Sequence, residues 1–301
     1  GRRAQAGSTL YVTLEPCAHH GLTPPCAPAI AGSGITRVVA AFEDPDARVS
    51  GRGFAYLRAA GVQVRTGVLA REVAELNEAY LHHRTTGRSY VSLKLALTLD
   101  GRLSARDGSS RWITGARTRR HVHERRAEVD AVMVGAGTVA SDDPRLTARV
   151  ARARQPARIV VDAAGRVSPA AEVFAPGAPV IVATTHACAH DVQTSWKETG
   201  AEVVVLPSSP AGVSLEALIE HLGRQGFIEV LCEGGGRLAT SLLRADLVDR
   251  LELHYGAMLV GPGGAALGDL GVATMSEAKR WKTSRARRVD GDVVVELRKA
   301  P

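Results

Sequence analysis

Glu229-Val230-Leu231-Cys232-Glu233-Gly234-Gly235-Gly236-Arg237-Leu238 is the stretch whose reading decides the fold. Residues 229–232 have strand character, three glycines follow, and an amphipathic run with helical spacing extends over 237–244. A strand that ends in a glycine turn and opens a helix aims unpaired backbone N–H groups and the positive end of the helix dipole beyond the turn. Such a place suits an anion, for instance a pyrophosphate. It is not the dinucleotide fingerprint Gly-x-Gly-x-x-Gly, because that spacing and its ribose-binding acid are absent. Taken alone, three glycines are as readily an ordinary tight turn.

Outward from this stretch the same alternation of short apolar runs and amphipathic segments continues. Residues 10–14, 37–42, 90–97, 131–135, 158–162, 180–184, 203–206, 250–255 and 293–297 read as further strands. Residues 27–32, 53–60, 71–81, 116–127 and 215–225 read as helices, with Thr114 as the expected N-cap of the fourth. The expected fold class is therefore α/β. The polar stretch His82-His83-Arg84-Thr85-Thr86-Gly87-Arg88 lies between a helix and a long strand, and it divides the chain into domains 1–87 and 88–301. A second glycine cluster, Gly135-Ala136-Gly137-Thr138, also follows a strand and can bring backbone and a hydroxyl to the same ligand. No internal repeat or low-complexity segment interrupts the pattern.

Composition narrows the function classes. With 301 residues and 45% hydrophobic content, the chain can build real cores. Aromatics at 4% leave little for a base-stacking platform, and no nucleic-acid partner is expected. The net charge is +7, yet only five of the 38 basic residues are lysine. That bias reflects coding more than a polyanionic partner, and the basic run 279–288 reads as a solvated surface. Four unevenly spaced cysteines point to a reducing, cytoplasmic setting rather than a disulfide framework. No apolar run reaches the roughly 20 residues of a membrane span. The chain opens on Gly1-Arg2-Arg3-Ala4-Gln5-Ala6-Gly7, which reads as a helix entered midway and hence as a fragment or processed product.

The first chemical constellation follows the strand at 10–14. Glu15-Pro16-Cys17 ends that strand, and Cys26 comes after Pro24-Pro25. Two thiolates near a helix start can share one Zn²⁺, since a helix N-terminus lowers thiol pKa. The whole string Tyr11-Val12-Thr13-Leu14-Glu15-Pro16-Cys17-Ala18-His19-His20-Gly21-x-Thr23-Pro24-Pro25-Cys26, with Phe42-Glu43-Asp44-Pro45 and Gly51-Arg52-Gly53, resembles the deaminase half of the bifunctional riboflavin-biosynthesis deaminase/reductase family. The resemblance implies a partial cytidine-deaminase-like α/β/α domain with Cys17 and Cys26 as metal ligands. The His-x-Glu that would supply a third ligand and a proton shuttle belongs upstream of this strand in that family. Zinc is therefore expected only if that His-x-Glu is present, and deamination is not expected of this chain. His19 and His20 are the alternative ligands, and neither brings a carboxylate.

From Tyr90 onward the resemblance continues through four ordered motifs. They are Lys94-Leu95-Ala96-x-x-Leu99-Asp100-Gly101-Arg102; Ser110-Arg111-Trp112-Ile113-Thr114; Gly135-Ala136-Gly137-Thr138-Val139 with Asp142-Asp143-Pro144-x-Leu146-Thr147; and Glu233-Gly234-Gly235-Gly236-x-Leu238. The family's reductase half is similar to dihydrofolate reductase in fold, a mixed and mainly parallel sheet flanked by helices. The resemblance implies hydride transfer from NADPH to C1′ of a ribosylaminopyrimidine 5′-phosphate, whose sugar opens to an imine-like form. Carried over residue by residue, it assigns Ala96, Trp112, Thr138, Asp142, Ala163, Gly235, Gly236, Arg237, Leu238, Ala239, Thr240 and Ser241 to the cofactor. Ser110, Arg126, Arg149 and Glu233 are assigned to the substrate, the arginines because a guanidinium fork suits a phosphate. Lys94 and Glu233 are the expected pair for orienting the sugar or moving a proton, with a structural salt bridge between them as the alternative. For Arg126 the alternative is a solvated helix face. Asp100 reads as a turn residue, and Cys188 and Cys232 as packing residues. The family further implies a homo-oligomer formed through the reductase half.

Two other functions compete with this one. A nucleic-acid deaminase is disfavoured by the long insert between Cys17 and Cys26 and by everything after residue 88. A non-catalytic nucleotide-binding protein is disfavoured by retention of Lys94, Asp142 and Glu233 together.

Overall fold

The computed structural model describes residues 4, 5, 7–21 and 23–299. The helix-end reading of residues 1–7 falls largely outside them. The chain divides into two compact units, Gly1–Gly87 and Arg88–Pro301.

In the first unit, β1 (Ser8–Leu14), α1 (Cys26–Ala31), β2 (Ile35–Phe42), α2 (Arg52–Ala59), β3 (Gln63–Arg65), α3 (Ala70–Leu76) and α4 (Glu78–Thr86) follow in order. The strands pair in parallel as β1-β2-β3, which requires crossover connections, and α1 and α2 provide them. The core is Ala27, Ile30, Val38, Leu57 and Val62. Glu15, 4% exposed at the end of β1, accepts from the backbone N–H of Gly51 at 2.9 Å and of Phe54 at 3.0 Å. A carboxylate from a distant strand thus caps α2. Gly53 is required there, because a Cβ would overlap the carbonyl oxygen of Pro16. The single helix expected over 71–81 is two helices, broken at Asn77 (φ −106°, ψ 19°), whose side-chain amide donates to the Val73 carbonyl at 3.0 Å. The second of them runs on through the polar stretch expected to link domains, until Gly87 ends it in the left-handed region.

The second unit opens with β4 (Tyr90–Thr98), β5 (Arg102–Ser104), α5 (Ala116–Glu128), β6 (Ala131–Gly135) and α6 (Ala136–Asp142). It continues through β7 (Ala157–Val161), β8 (Val180–Thr184), α7 (His190–Glu198), β9 (Glu202–Val205), β10 (Ser208–Ser209), β11 (Gly212–Val213) and α8 (Leu215–Arg224). Last come β12 (Glu229–Cys232), α9 (Gly236–Arg244), β13 (Arg250–Gly256), β14 (Gly264–Ala265), β15 (Trp281–Val289) and β16 (Asp292–Lys299). Nine strands form one sheet in the order β15-β16-β13-β4-β12-β6-β7-β8-β9. It is a mixed sheet: β16 runs antiparallel to both β13 and β15, and the other pairs are parallel.

Residue alternation along β4 sets the two faces. Val91, Leu93, Leu95 and Leu97 join the core that α8 and α9 cover with Leu218, Leu222, Ala239 and Leu242. Ser92 and Lys94 point to the other face, beneath α5. There the sheet is polar: Ser92 donates to Glu229 Oε1 at 2.7 Å, and Arg125 of α5 donates to Glu229 at 2.7 Å and to Glu252 at 2.9 Å.

Helix α5 begins differently from the sequence expectation. Its N-cap is Gly115, and Thr114 makes no capping bond. Buried Asp292 of β16 takes the role instead, accepting from the Gly115 N–H at 2.7 Å and the Thr118 hydroxyl at 2.6 Å. A carboxylate contributed by an element more than a hundred residues away leaves no local pattern to read. The basic run at 279–288 forms most of edge strand β15, whose mostly exposed side chains blunt an open sheet edge.

Candidate active site

The chain passes from β4 away to β6 and returns to place β12 between them, so the strand order reverses around β12. Crevices at such reversals, beyond the carboxyl ends of parallel strands, are where open α/β sheets hold ligands. A cavity of about 720 Å³ opens there. Its floor is Lys94 and Ala96 of β4, Val134 of β6 and Glu233 just past β12; one wall is Val122, His123 and Arg126 of α5. Ser110, Trp112, Thr138, Asp142, Arg149 and Gly235 complete the lining together with the loop around Leu146.

Ala163, Gly236, Arg237, Leu238, Ala239, Thr240 and Ser241 do not line this cavity. Leu238 and Ala239 face the core, and the hydroxyls of Thr240 and Ser241 donate back to the carbonyls of Gly236 and Arg237 at 2.6 and 3.0 Å. Of this segment, the opening turn of α9 and the exposed Arg237 side chain are not taken up by the core. Gly234 and Gly235 both have φ 88°, and a Cβ on Gly235 would lie 2.8 Å from Thr138 Oγ1. The two glycine clusters of the sequence therefore meet: the turn before α9 packs against the start of α6. Ala163 lies past β7, in a loop whose backbone N–H groups are gathered by fully buried Asp162; that carboxylate accepts from Ala164, Gly165, Arg166 and Val167.

The central ion pair is Arg126 with Glu233, not Lys94 with Glu233. Arg126 Nε donates to Glu233 Oε1 at 2.5 Å and Nη2 to Oε2 at 2.8 Å, while Nη1 donates to the Thr147 carbonyl at 3.1 Å. The planar fork occupies both carboxylate oxygens. Burial opposes ionisation of Glu233, but Arg126, with Lys94 and His123 adding to it, holds the carboxyl below its ordinary range. Burial lowers the Lys94 ammonium, partly offset by Glu233 and reinforced by Arg126. The structural salt bridge that is the alternative for Lys94 and Glu233 is not formed: Lys94 lies near, but is not tied to, a carboxylate that Arg126 holds. The solvated-face alternative for Arg126 fails as well, since its side chain is 13% exposed. Trp112 is 63% exposed at the rim, with the guanidinium of Arg119 4.2 Å from its ring centroid.

One residue of the lining carried no signal in the sequence. His123 lies one turn before Arg126 on the same helix, and its Nδ1 meets the Thr147 carbonyl at 3.0 Å. Among the two histidines and five arginines of α5 it looks like one more polar surface residue; only the way the helix lies over the sheet places it in the cavity lining.

In the first unit, Cys17 and Cys26 lie together, with the Cys26 N–H donating to Cys17 Sγ at 3.4 Å. Burial and the neighbouring Cys17 push the Cys26 thiol up. Two thiols are two ligands, and among the described residues no third His, Cys, Asp or Glu completes a metal-sized group with them. The residues described do not fit a catalytic zinc. The group that does have the size, His121 of α5 with Glu252 and His254 of β13, is a poor home for a cation. Burial, and after it the positive neighbours Lys94, His121, Arg287 and Arg125, hold the His254 imidazole down to about 2. Cys188 and Cys232 are buried, and burial pushes the Cys232 thiol up to about 12, so neither is a nucleophile.

The fold and the crevice define an α/β protein of the dihydrofolate-reductase-like kind. The family described as the RibD C-terminal domain matches residues 89–295. The riboflavin biosynthesis protein RibD of Aquifex aeolicus is 39% identical over 98% of this chain and 81% of its own length. The Escherichia coli protein of that name is 36% identical over 99% and 83%. A solved diaminohydroxyphosphoribosylaminopyrimidine deaminase/5-amino-6-(5-phosphoribosylamino)uracil reductase from Thermotoga maritima superposes with a TM-score of 0.84 at 36% identity, covering 98% of this chain and 80% of that one. The chain belongs to the RibD family. Among the described residues no helix is long and apolar enough to cross a membrane.

Proposed function

We propose that the second unit is an NADPH-dependent reductase that delivers hydride to C1′ of 5-amino-6-(5-phosphoribosylamino)uracil, giving the ribityl product. The observation that carries the reading is the convergence in one crevice of Lys94, the Arg126–Glu233 pair and the glycine turn before α9. The relatives' names supply the substrate class.

The cofactor fits the residues present. The turn at Gly234 and Gly235 lets backbone approach an anion, and α9 presents its positive end there. Thr138, Asp142, Ala96 and Trp112 would line the nicotinamide half, and the segment Gly236–Ser241 would contribute the backbone of its first turn and the exposed Arg237 side chain; Ala163 would lie at the distant end. When bound, NADPH supplies the hydride. The chain's own groups do the rest. Ser110, Arg149 and the exposed edge of the Arg126 guanidinium would hold the phosphorylated sugar. Lys94, its ammonium destabilised by burial, is suited to give a proton to the sugar ring oxygen as the ring opens. Glu233, held ionised by Arg126, is suited to accept hydrogen bonds from sugar hydroxyls rather than to take a proton.

For the first unit we propose deaminase ancestry, resting on the motif from Tyr11 to Cys26. The described residues of this unit offer two thiols without a third ligand, and so do not by themselves make a metal-dependent deaminase site.

The test is direct. Purified protein given the deaminated ribosylaminopyrimidine phosphate should consume NADPH, followed by loss of its absorbance, and should use NADH less well. A folded sample that turns over with neither coenzyme overturns the reductase reading.

A further inference from the structure

Every carboxylate that lines the cavity is already bonded within the protein. Glu233 is held by Arg126, and Glu172 accepts from Arg145 at 2.6 Å. Asp142 accepts from the Ser141 hydroxyl at 3.1 Å, and Asp143 from the Glu172 N–H at 2.8 Å. His123 differs. A carbonyl can only accept, so the ring nitrogen facing Thr147 must carry the proton, which fixes the Nδ1–H tautomer. The other nitrogen, Nε2, is then an acceptor; the His123 ring lines the cavity, and Nε2 bonds to none of the described residues. The same Thr147 carbonyl also receives Arg126 Nη1, so one backbone group anchors both the imidazole and the guanidinium that holds Glu233.

We propose that His123 is a substrate-contacting residue whose Nε2 accepts a hydrogen bond from the sugar–amine end of the substrate, an N–H or O–H beside the carbon that receives hydride. This rests on the reductase reading above. The choice of that end follows from chemistry. A phosphate and the pyrimidine carbonyls present acceptors, which an acceptor nitrogen cannot satisfy, whereas the sugar hydroxyls, the linking amine and the ring N–H and 5-amino groups are donors. Among these the sugar–amine end is selected by position, because His123 shares the Thr147 carbonyl with the guanidinium that holds Glu233. Drawing an N–H toward the imidazole also raises electron density at the nitrogen and so favours departure of the ring oxygen.

The charged groups around the ring keep it in the required state. Burial disfavours its protonation, Arg126 and Arg149 add to that, and the Thr147 carbonyl and Glu233 oppose them; the net result is a pKa below the ordinary 6.5. Protonation would convert Nε2 from acceptor to donor and abolish the contact. Activity should therefore fall as pH drops through that lowered value and be full above it.

The experiment compares wild-type protein with His123→Gln and His123→Leu. Glutamine retains an acceptor that does not titrate; leucine retains bulk and no acceptor. The expected result is that His123→Leu lowers kcat/KM roughly ten- to a hundredfold, in line with a lost hydrogen bond at a buried donor. His123→Gln should stay within about threefold of wild type while its acid limb disappears. The ¹⁵N spectrum of the wild-type imidazole should show Nδ1 protonated above pH 7, independently of turnover. Unchanged kcat/KM in His123→Leu, an acid limb that persists in His123→Gln, or an Nε2–H tautomer each overturns the assignment while leaving the reductase reading intact. Absence of turnover in the wild type overturns both.

Discussion

Arg125 and Arg126 are neighbours on α5, yet they belong to different parts of the molecule. Arg125 points into the sheet, where Glu229 and Glu252 take two of its donors, while the exposed Glu128 at the end of α5 takes a third; its side chain is 11% exposed. Arg126, 13% exposed, turns one step round the helix to the cavity and meets one carboxylate and one carbonyl. Both are buried and paired. The difference is what lies beyond the pair: packed sheet in one case, space for a ligand in the other. Burial and ion pairing alone do not mark a functional arginine; the open side does.

The comparison is sharpest in paired substitutions. Arg125→Met leaves Glu229 and Glu252 beneath α5, with Arg250 at 3.7 Å from Glu229 as the nearest remaining cation. Removing one partner of a buried pair typically costs about 3–5 kcal/mol, so the urea midpoint should fall steeply. Whatever remains folded should keep near-normal kcat. Arg126→Met should show the reverse ranking, with a smaller stability loss, because water can reach Glu233 through the cavity, and a large loss of kcat/KM. If the two variants lose stability and turnover in the same proportion, the distinction between them is wrong.

Lys94→Met comes next. If Lys94 gives a proton as the sugar opens, kcat should fall roughly ten- to a thousandfold, about 1.4–4 kcal/mol of transition-state stabilisation. NADPH affinity and melting temperature should change little, since no ion pair is lost and methionine fits a buried site. A large drop in melting temperature with normal turnover in the folded fraction would return Lys94 to a structural role.

Much of this was legible in the sequence, and the parts that were not share a cause. The nine-stranded sheet's inner strands could be read because both faces are buried and the apolar runs are continuous, as in β6, β7 and β8. The motif residues at Lys94, Ser110, Thr138, Asp142 and Glu233 were legible as a set, and they do share one crevice. What stayed hidden depends on which distant elements meet. That Glu233 pairs with Arg126 rather than Lys94 is decided by how α5 lies over β12, and no spacing along the chain encodes it. Strand β15 was missed because a basic edge strand has almost no apolar alternation, and α6 because Gly137, Thr138 and Ser141, all poor helix formers, make up much of its seven residues. His123 was hidden among the other basic residues of α5.

Gly235→Ala tests where the two glycine clusters meet. The residue has φ 88°, and the new Cβ would lie 2.8 Å from Thr138 Oγ1. The added methyl strains the turn and pushes against α6, so NADPH affinity should weaken by roughly tenfold, about 1.4 kcal/mol, by isothermal titration. Substrate affinity should change less. An unchanged cofactor affinity would detach the glycine turn from the cofactor.

The smallest effects separate a local cap from a distant one. Asp292 accepts from both the Gly115 N–H and the Thr118 hydroxyl, and it is buried. Asp292→Ala leaves both donors without their acceptor at the start of α5 and should cost about 1–2 kcal/mol in chemical denaturation. Thr114 makes no capping bond, so Thr114→Val, which replaces the hydroxyl with a methyl of like size at a site 8% exposed, should cost no more than about 0.5 kcal/mol, below the roughly 1 kcal/mol of a lost N-cap. Because α5 carries Arg126 and His123, the Asp292 variant should also raise KM modestly, whereas the Thr114 variant should not. Equal costs for the two, or a larger one for Thr114, would mean that the helix start is set locally after all, and that the cavity wall does not depend on β16.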